Sequence, residues 1–272
     1  MPEYSTHALR LLCGSVVGAA ALGIAAVSAN AAPVVHFDIS VTGGSGGPFN
    51  TSFSQIAVPS ATPGVHNINH ANGPHPGGLT DAFGEWSINL WDFNVDDDPA
   101  GSGAAEGAFL GAVFSVTNTM PEGLMPGENV LQFSIYISMD IATPGPNTTF
   151  FGNGAMTLLG NGSGLNEVST GNGPMWNFLI DGSDAASLFA SGYSLGLTGP
   201  GTTSDSQNLS PAQTGPLAGI VPTSLGIRLD FLLTPGDTVN FNGAFRVIPA
   251  PGSVALLALA GLAGYSRRRR QQ

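Results

Sequence analysis

A chain of 272 residues carrying seven Lys plus Arg against eighteen Asp plus Glu has a formal charge of −11, which excludes a surface built to hold nucleic acid or anionic lipid. With one cysteine and no lysine, it also excludes an intrachain disulfide and any Schiff-base or Ser-Lys chemistry. Glycine and proline are abundant, 39 and 20 residues, yet 42% of the chain is apolar, so the composition argues for short strands joined by glycine-rich loops rather than for disorder.

Taken from the start, Arg10 precedes an uncharged apolar stretch from Leu11 to Val27, and Ala29 and Ala31 stand in the A-x-A arrangement that signal peptidase reads. The sequence predicts a cleavable signal helix over residues 1–31, cut after Ala31. Cys13 lies at the beginning of the stretch, where a lipoprotein acceptor would not be, and leaves with the peptide. Of the acids, only Glu3 falls in this segment, and the only fixed cations between positions 32 and 248 are Arg228 and Arg246. The exported body therefore has a net charge of about −15, soluble and attractive to divalent cations.

The body reads as strands. Residues 34–41 (VVHFDISV) alternate, with Val35, Phe37, Ile39 and Val41 on one parity. Residues 51–58 form a second candidate, and 59–80, rich in Pro, Gly, Asn and His, have no period that supports an element. Strand character returns at 85–95, where Trp86, Ile88, Leu90 and Asp92 share a parity. The strongest candidates are 107–116 and 130–141. In the latter, Leu131, Phe133, Ile135, Ile137 and Met139 alternate with polar or amphipathic residues, giving one core face and one wet face. Further strands are predicted at 149–159 and 175–180, with loops over 160–174 and 199–216. In 184–197 the stretch DAASLF reads equally as the opening of a short helix with Asp184 near its N-cap. Residues 223–233 and 238–247 flank Thr234-Pro235-Gly236-Asp237, which predicts a hairpin closed by a turn of type II or a near relative.

These elements predict an all-β body, residues 32–248. Its expected architecture is an antiparallel, jelly-roll-like β-sandwich with long Gly/Pro/Asn-rich loops, able to fold on apolar burial alone. Variable strand lengths and the lack of regular aromatic girdles argue against an outer-membrane barrel.

Three constellations carry candidate chemistry. Asp92, Asn94, Asp96 and Asp98 space oxygen donors on alternate residues as calcium loops do, although Asp97 replaces the glycine and Gly103 the glutamate of an EF-hand. They read either as a solvated acidic turn or as a Ca²⁺ site. His66, His70 and His75 crowd one loop without the regular spacing of a zinc site. Trp86, Trp91, Tyr136 and Trp176 divide between core residues and platforms for sugar rings; the opposite parity of Trp86 and Trp91 sends at most one of that pair inward. Sequons at Asn50, Asn147, Asn161 and Asn208 mark surface. No H-E-x-x-H helix or body cysteine supports catalysis, and Glu85, Glu106 and Glu128 are unspecific as a glycosidase pair. A non-enzyme is expected.

The chain closes on VIPAPGSVALLALAGLAGYSRRRRQQ: Pro249, Ala250 and Pro251, an apolar run from Val254 to Tyr265, then Arg267, Arg268, Arg269 and Arg270. As a helix the run would be about 18 Å long against a hydrocarbon core of about 30 Å, short for a permanent anchor, and the arginines would stay cytoplasmic. This order, over residues 249–272, resembles the PEP-CTERM sorting signal, with Ala250 in the place of the family's glutamate. The resemblance implies a transient membrane helix, processing near Pro249–Pro251 by an exosortase-like enzyme after signal peptidase has acted, and delivery to the cell envelope, cell surface or extracellular matrix. The expected function is that of a non-catalytic, surface-sorted protein with extracellular polysaccharide as a candidate partner. Calcium-assisted carbohydrate binding or adhesion is the alternative, and a polysaccharide-active enzyme a more distant one.

Overall fold

Alternating apolar residues become strands here because each can bury one face against a second sheet. The computed structural model describes residues 32–60, 65–69, 74–76, 78–96, 108–123, 129–141, 148–161, 164–171, 173–210 and 221–248. In chain order the strands are β1 (Val34–Thr42), β2 (Phe49–Ile56), β3 (Val58–Pro59), β4 (His66–Asn69), β5 (Leu79–Thr80), β6 (Trp86–Asp96), β7 (Ala108–Asn118) and β8 (Leu131–Asp140). They continue with β9 (Thr149–Gly160), β10 (Leu165–Thr170), β11 (Trp176–Ile180), β12 (Ser183–Leu188), β13 (Ser194–Thr198), β14 (Gly201–Asn208), β15 (Ser224–Leu233) and β16 (Thr238–Ile248). There is no helix among the described residues.

One sheet runs β12-β11-β15-β8-β1-β2, with β10 paired to β15 beyond the end of β11 and β13 paired to β10. The other runs β14-β9-β16-β7-β6-β4-β3, with β5 beside β6. Every pairing in both sheets is antiparallel. The fold is an all-β, antiparallel, sandwich-like arrangement.

The inner faces meet in a single apolar core. Aromatic rings bridge the layers: Phe37 to Phe93 at 5.2 Å, Phe231 to Phe241 at 4.8 Å and Phe178 to Phe245 at 4.9 Å between centroids. Trp176 is fully buried above β9 and β16, where Gly154 and Gly243 are register partners. A Cβ on Gly243 would stand 2.4 Å from the indole Cζ2, so this close approach requires glycine.

The 234–237 hairpin forms as expected. Gly236 takes φ 78°, and the Asp237 N–H donates to the Thr234 carbonyl at 3.4 Å. The short helix that the ambiguous 184–197 stretch also allowed, with Asp184 near its N-cap, does not form. Residues 183–188 form β12, because Asp181 and Gly182, with φ 51° and 74°, close a two-residue hairpin with β11 and commit the chain to pairing. Asp184 instead meets Arg228 at 3.1 Å.

Three stretches read as loops contain strands. The 59–80 region holds β4 and β5, the 160–174 region β10, and the 199–216 region β14. β14 is GTTSDSQN, an edge strand whose apolar content gives no signal, held by its ladder to β9. The parity reading of β6 is also corrected. A bulge between Ile88 and Leu90 shifts the register, so Phe93 and Val95 follow the same side of the ladder as Trp86 and Ile88, and Asp92 falls on the other.

Candidate functional site

The sorting residues Ala29, Ala31, Pro249, Ala250, Pro251 and Arg267 to Arg270 lie outside the described residues. The described fold approaches both boundaries closely. β1 opens at Val34, and β16 ends at Ile248, directly before Pro249. β16 is an interior strand with ladders to β7 and β9 along its length, so its hold on the sheet does not depend on anything beyond Ile248.

Asp92, Asn94 and Asp96 stand on alternate positions of β6, with Asp92 and Asn94 exposed and Asp96 8% exposed; Asp98 lies outside the described residues. An extended strand separates alternate residues by about 6.6 Å, so these three make a ladder along the strand rather than the curled loop that converges donors on one ion. Among the described residues no group of three or more His, Cys, Asp or Glu side chains is placed to hold a metal. His66 sits on β4, with its Nδ1 buried and without a hydrogen-bond partner. His75 packs edge-on against Phe53 at 4.9 Å, and His70 is outside the described residues. Of the carboxylates weighed as a glycosidase pair, Glu85 accepts hydrogen bonds from the Ser45 backbone N–H at 2.9 Å and from its hydroxyl, while Glu106 and Glu128 fall outside the described residues.

Burial separates the aromatics. Trp86 and Trp176 are core residues, whereas Tyr136 is half-buried on the outer face of the first sheet. It lies over Gly226, whose Cβ would be 2.8 Å from the ring, and its register partners are Asp38 and Arg228. Together with Asp38, Ser40, Asn50, Ser52 and Ser134 it borders a shallow polar cleft of about 270 Å³. Arg228 is held by Asp184 and Asp230 at 3.1 and 3.0 Å.

Two buried polar groups hold the end of the sandwich where β15 turns into β16. Asn118 donates from Nδ2 to the carbonyls of Asn129 and Leu233, both at 2.9 Å, and accepts the Met120 N–H at 3.0 Å. Asp237, fully buried, accepts the Glu167 N–H at 3.1 Å and the Thr234 hydroxyl. Burial pushes its carboxyl above the usual value, against those hydrogen bonds. Asp181 goes the other way. Burial works to raise it, but the Thr223 N–H and hydroxyl and the Ser224 N–H, at 2.8, 2.8 and 2.9 Å, together hold it below the ordinary carboxylate value.

A cleft of about 500 Å³ lies on the outer face of the second sheet, bordered by Phe109, Phe151, Asn153, Asn208 and Arg246 among others. Arg246 on β16 has Phe109 of β7 and Phe151 of β9 as its two register partners. Its guanidinium carbon lies 5.6 Å from the centre of the Phe109 ring, a cation–π contact, and Phe151 is 45% exposed. No carboxylate of the described residues is within ion-pair distance of Arg246, whereas Arg228 has two. Sequence reasoning missed this site because its members come from four separated strands; the one available signal was that Arg246 is one of only two body cations. The exposed sequons Asn50, Asn161 and Asn208 are on the surface as expected, and Asn147 is outside the described residues.

No family model matches the chain. No curated protein matches it either. Among solved structures it is similar to the enzymatically active domain of bacteriophage CBA120 tailspike protein 4 at a TM-score of 0.23 and 11% identity, over 65% of this chain and 22% of that one. It is also similar to infectious bursal disease virus chains of the Gx strain (TM-score 0.23, 12% identity, 79% of this chain and 56% of that) and the Gt strain (0.19, 14%, 81% and 66%). The chain thus spans 22% and 56% of the first two. Likenesses this slight carry no functional argument.

Proposed function

We propose that the chain is an exported, surface-sorted, non-catalytic protein of the cell envelope or extracellular polysaccharide matrix. Signal peptidase removes residues 1–31, an exosortase-like enzyme reads residues 249–272 at the Pro249-Ala250-Pro251 variant, and a jelly-roll-type sandwich over 32–248 is the cargo. The observation that carries this reading is the fit between the strands and the two signals. β1 opens at Val34 and β16 closes at Ile248, so processing at both boundaries takes nothing from either sheet. Because processing removes nearly the same segment, deleting residues 249–272 is expected to leave the mature chain close to wild-type length, apart from any group attached on processing, while changing its place in the envelope; an unchanged location would overturn the reading.

A second reading, a calcium-assisted carbohydrate-binding or adhesion module, is favoured by one feature, the polar cleft beside Tyr136 on the outer face of the first sheet. Glycan-array binding that is lost on chelation and in Asp38→Ala, on the border of that cleft, would select it over the first.

A further inference from the structure

We propose that the cleft on the outer face of the second sheet is a binding site for a carboxylate-bearing sugar chain, a hexuronate oligosaccharide. This goes beyond the sorting reading and does not depend on it.

The argument begins with charge. Between residues 32 and 248 the chain has two cations, and one of them, Arg228, is neutralised by Asp184 and Asp230. Arg246 has no such partner among the described residues, although acids outnumber cations severalfold. It is half-buried, backed by the Phe109 ring at 5.6 Å, and borders the cleft. A guanidinium lying against a ring keeps its edge for a planar anion, and a carboxylate takes that edge through two parallel N–H···O bonds.

The rest of the cleft matches the rest of such a sugar. Phe151, flanking Arg246 in register and 45% exposed, offers an apolar ring to the C–H face of a pyranose. Asn153 and Asn208 are register partners on β9 and β14, and their amides are suited to hydroxyls. Asn153 spends Oδ1 on the Ala244 N–H at 2.9 Å, which fixes the side chain and leaves Nδ2 as a donor. About 500 Å³ is within the range that holds small ligands. The acidic surface elsewhere opposes a polyanion only over a Debye length of about 8 Å at physiological salt, so the contact inside the cleft decides.

The test is calorimetric titration of the full-length protein in detergent with α-1,4-linked hexagalacturonate and with the same hexamer after reduction of its carboxyls to alcohols. Saturable binding of the acid form is expected, weakened at least about tenfold by carboxyl reduction, by Arg246→Gln and by Phe151→Ala. Arg246→Lys, which keeps the charge and stem but loses the fork, is expected to weaken it by roughly threefold and serves if the Gln variant does not fold. Arg267 to Arg270 are the same in every variant, so binding by them alone would leave Arg246→Gln equal to wild type and would overturn the proposal. It would equally be overturned by no binding of the acid hexamer or by equal binding of the reduced one.

Discussion

Gly243 on β16 faces the buried Trp176 of the opposite sheet so closely that a single added methyl would stand 2.4 Å from the indole and 2.5 Å from the Asn153 carbonyl. The indole is fully buried and cannot move aside without disturbing Phe241 and Phe178, its ring neighbours at 6.1 and 6.2 Å. Gly243→Ala is therefore expected to lower stability by about 1–3 kcal/mol in urea unfolding, as overpacking of a tight core does. Gly173→Ala, where nothing lies within 4 Å of the new methyl, is the control and should stay within about 0.5 kcal/mol.

Asn118 is expected to be costly to remove. Its side chain closes three hydrogen bonds at the β7 terminus, and Asn118→Ala leaves the Leu233 carbonyl without that donor inside the fold. A loss of about 2–3 kcal/mol is predicted, read as a fall in melting temperature of roughly 4–10 °C for a body of this size. A fall below 1 °C would mean that water replaces the amide.

The acid limb of stability should carry two opposing contributions. Asp181, depressed below its ordinary value of 3.8, adds stability that is present above that pH and lost as pH falls through its folded value. Asp237, raised above 3.8, binds its proton more tightly in the fold, so its contribution is full below 3.8 and is lost as pH rises through its folded value. Urea midpoints measured from pH 2.5 to 6 should show Asp181→Asn losing stability mainly at the upper end. Asp237→Asn should instead flatten the decline that wild type shows on leaving pH 3.8 upward. The same slope in all three proteins would contradict this assignment.

Chelation tests the acidic ladder. Because Asp92, Asn94 and Asp96 are spread along an extended strand, removal of calcium is expected to leave the melting temperature within about 1 °C. A drop of several degrees that Asp96→Ala abolishes would instead mark a cation bound at the end of β6.

How much of this was legible in the sequence depends on where each signal came from. Clean alternation over 131–140 and the Pro235-Gly236 turn announced β8 and the β15–β16 hairpin, because a half-buried strand and a positive φ leave local marks. The Asp181-Gly182 turn carried a local mark as well, and reading it would have decided the ambiguous 184–197 stretch in favour of β12. β14 and β10 could not be read in this way. Their polar residues are held by ladders to β9 and to β13 and β15, contacts that exist only once distant segments have folded. The bulge in β6 shows the same limit, since one extra residue against β7 reversed the parity of everything after it. The Arg246 cleft joins residues from positions 109, 151 and 246 and was foreshadowed only by the scarcity of cations.

The central claim, that the sandwich is cargo delivered by two terminal signals, is tested most directly by the intact mass of the protein recovered from its native envelope and medium, with peptide mapping of both ends. A chain beginning at Ala32 and ending within Pro249–Pro251, with or without an attached group, is the predicted result. A chain that still ends at Gln272 would contradict it and leave residues 249–272 as a simple anchor.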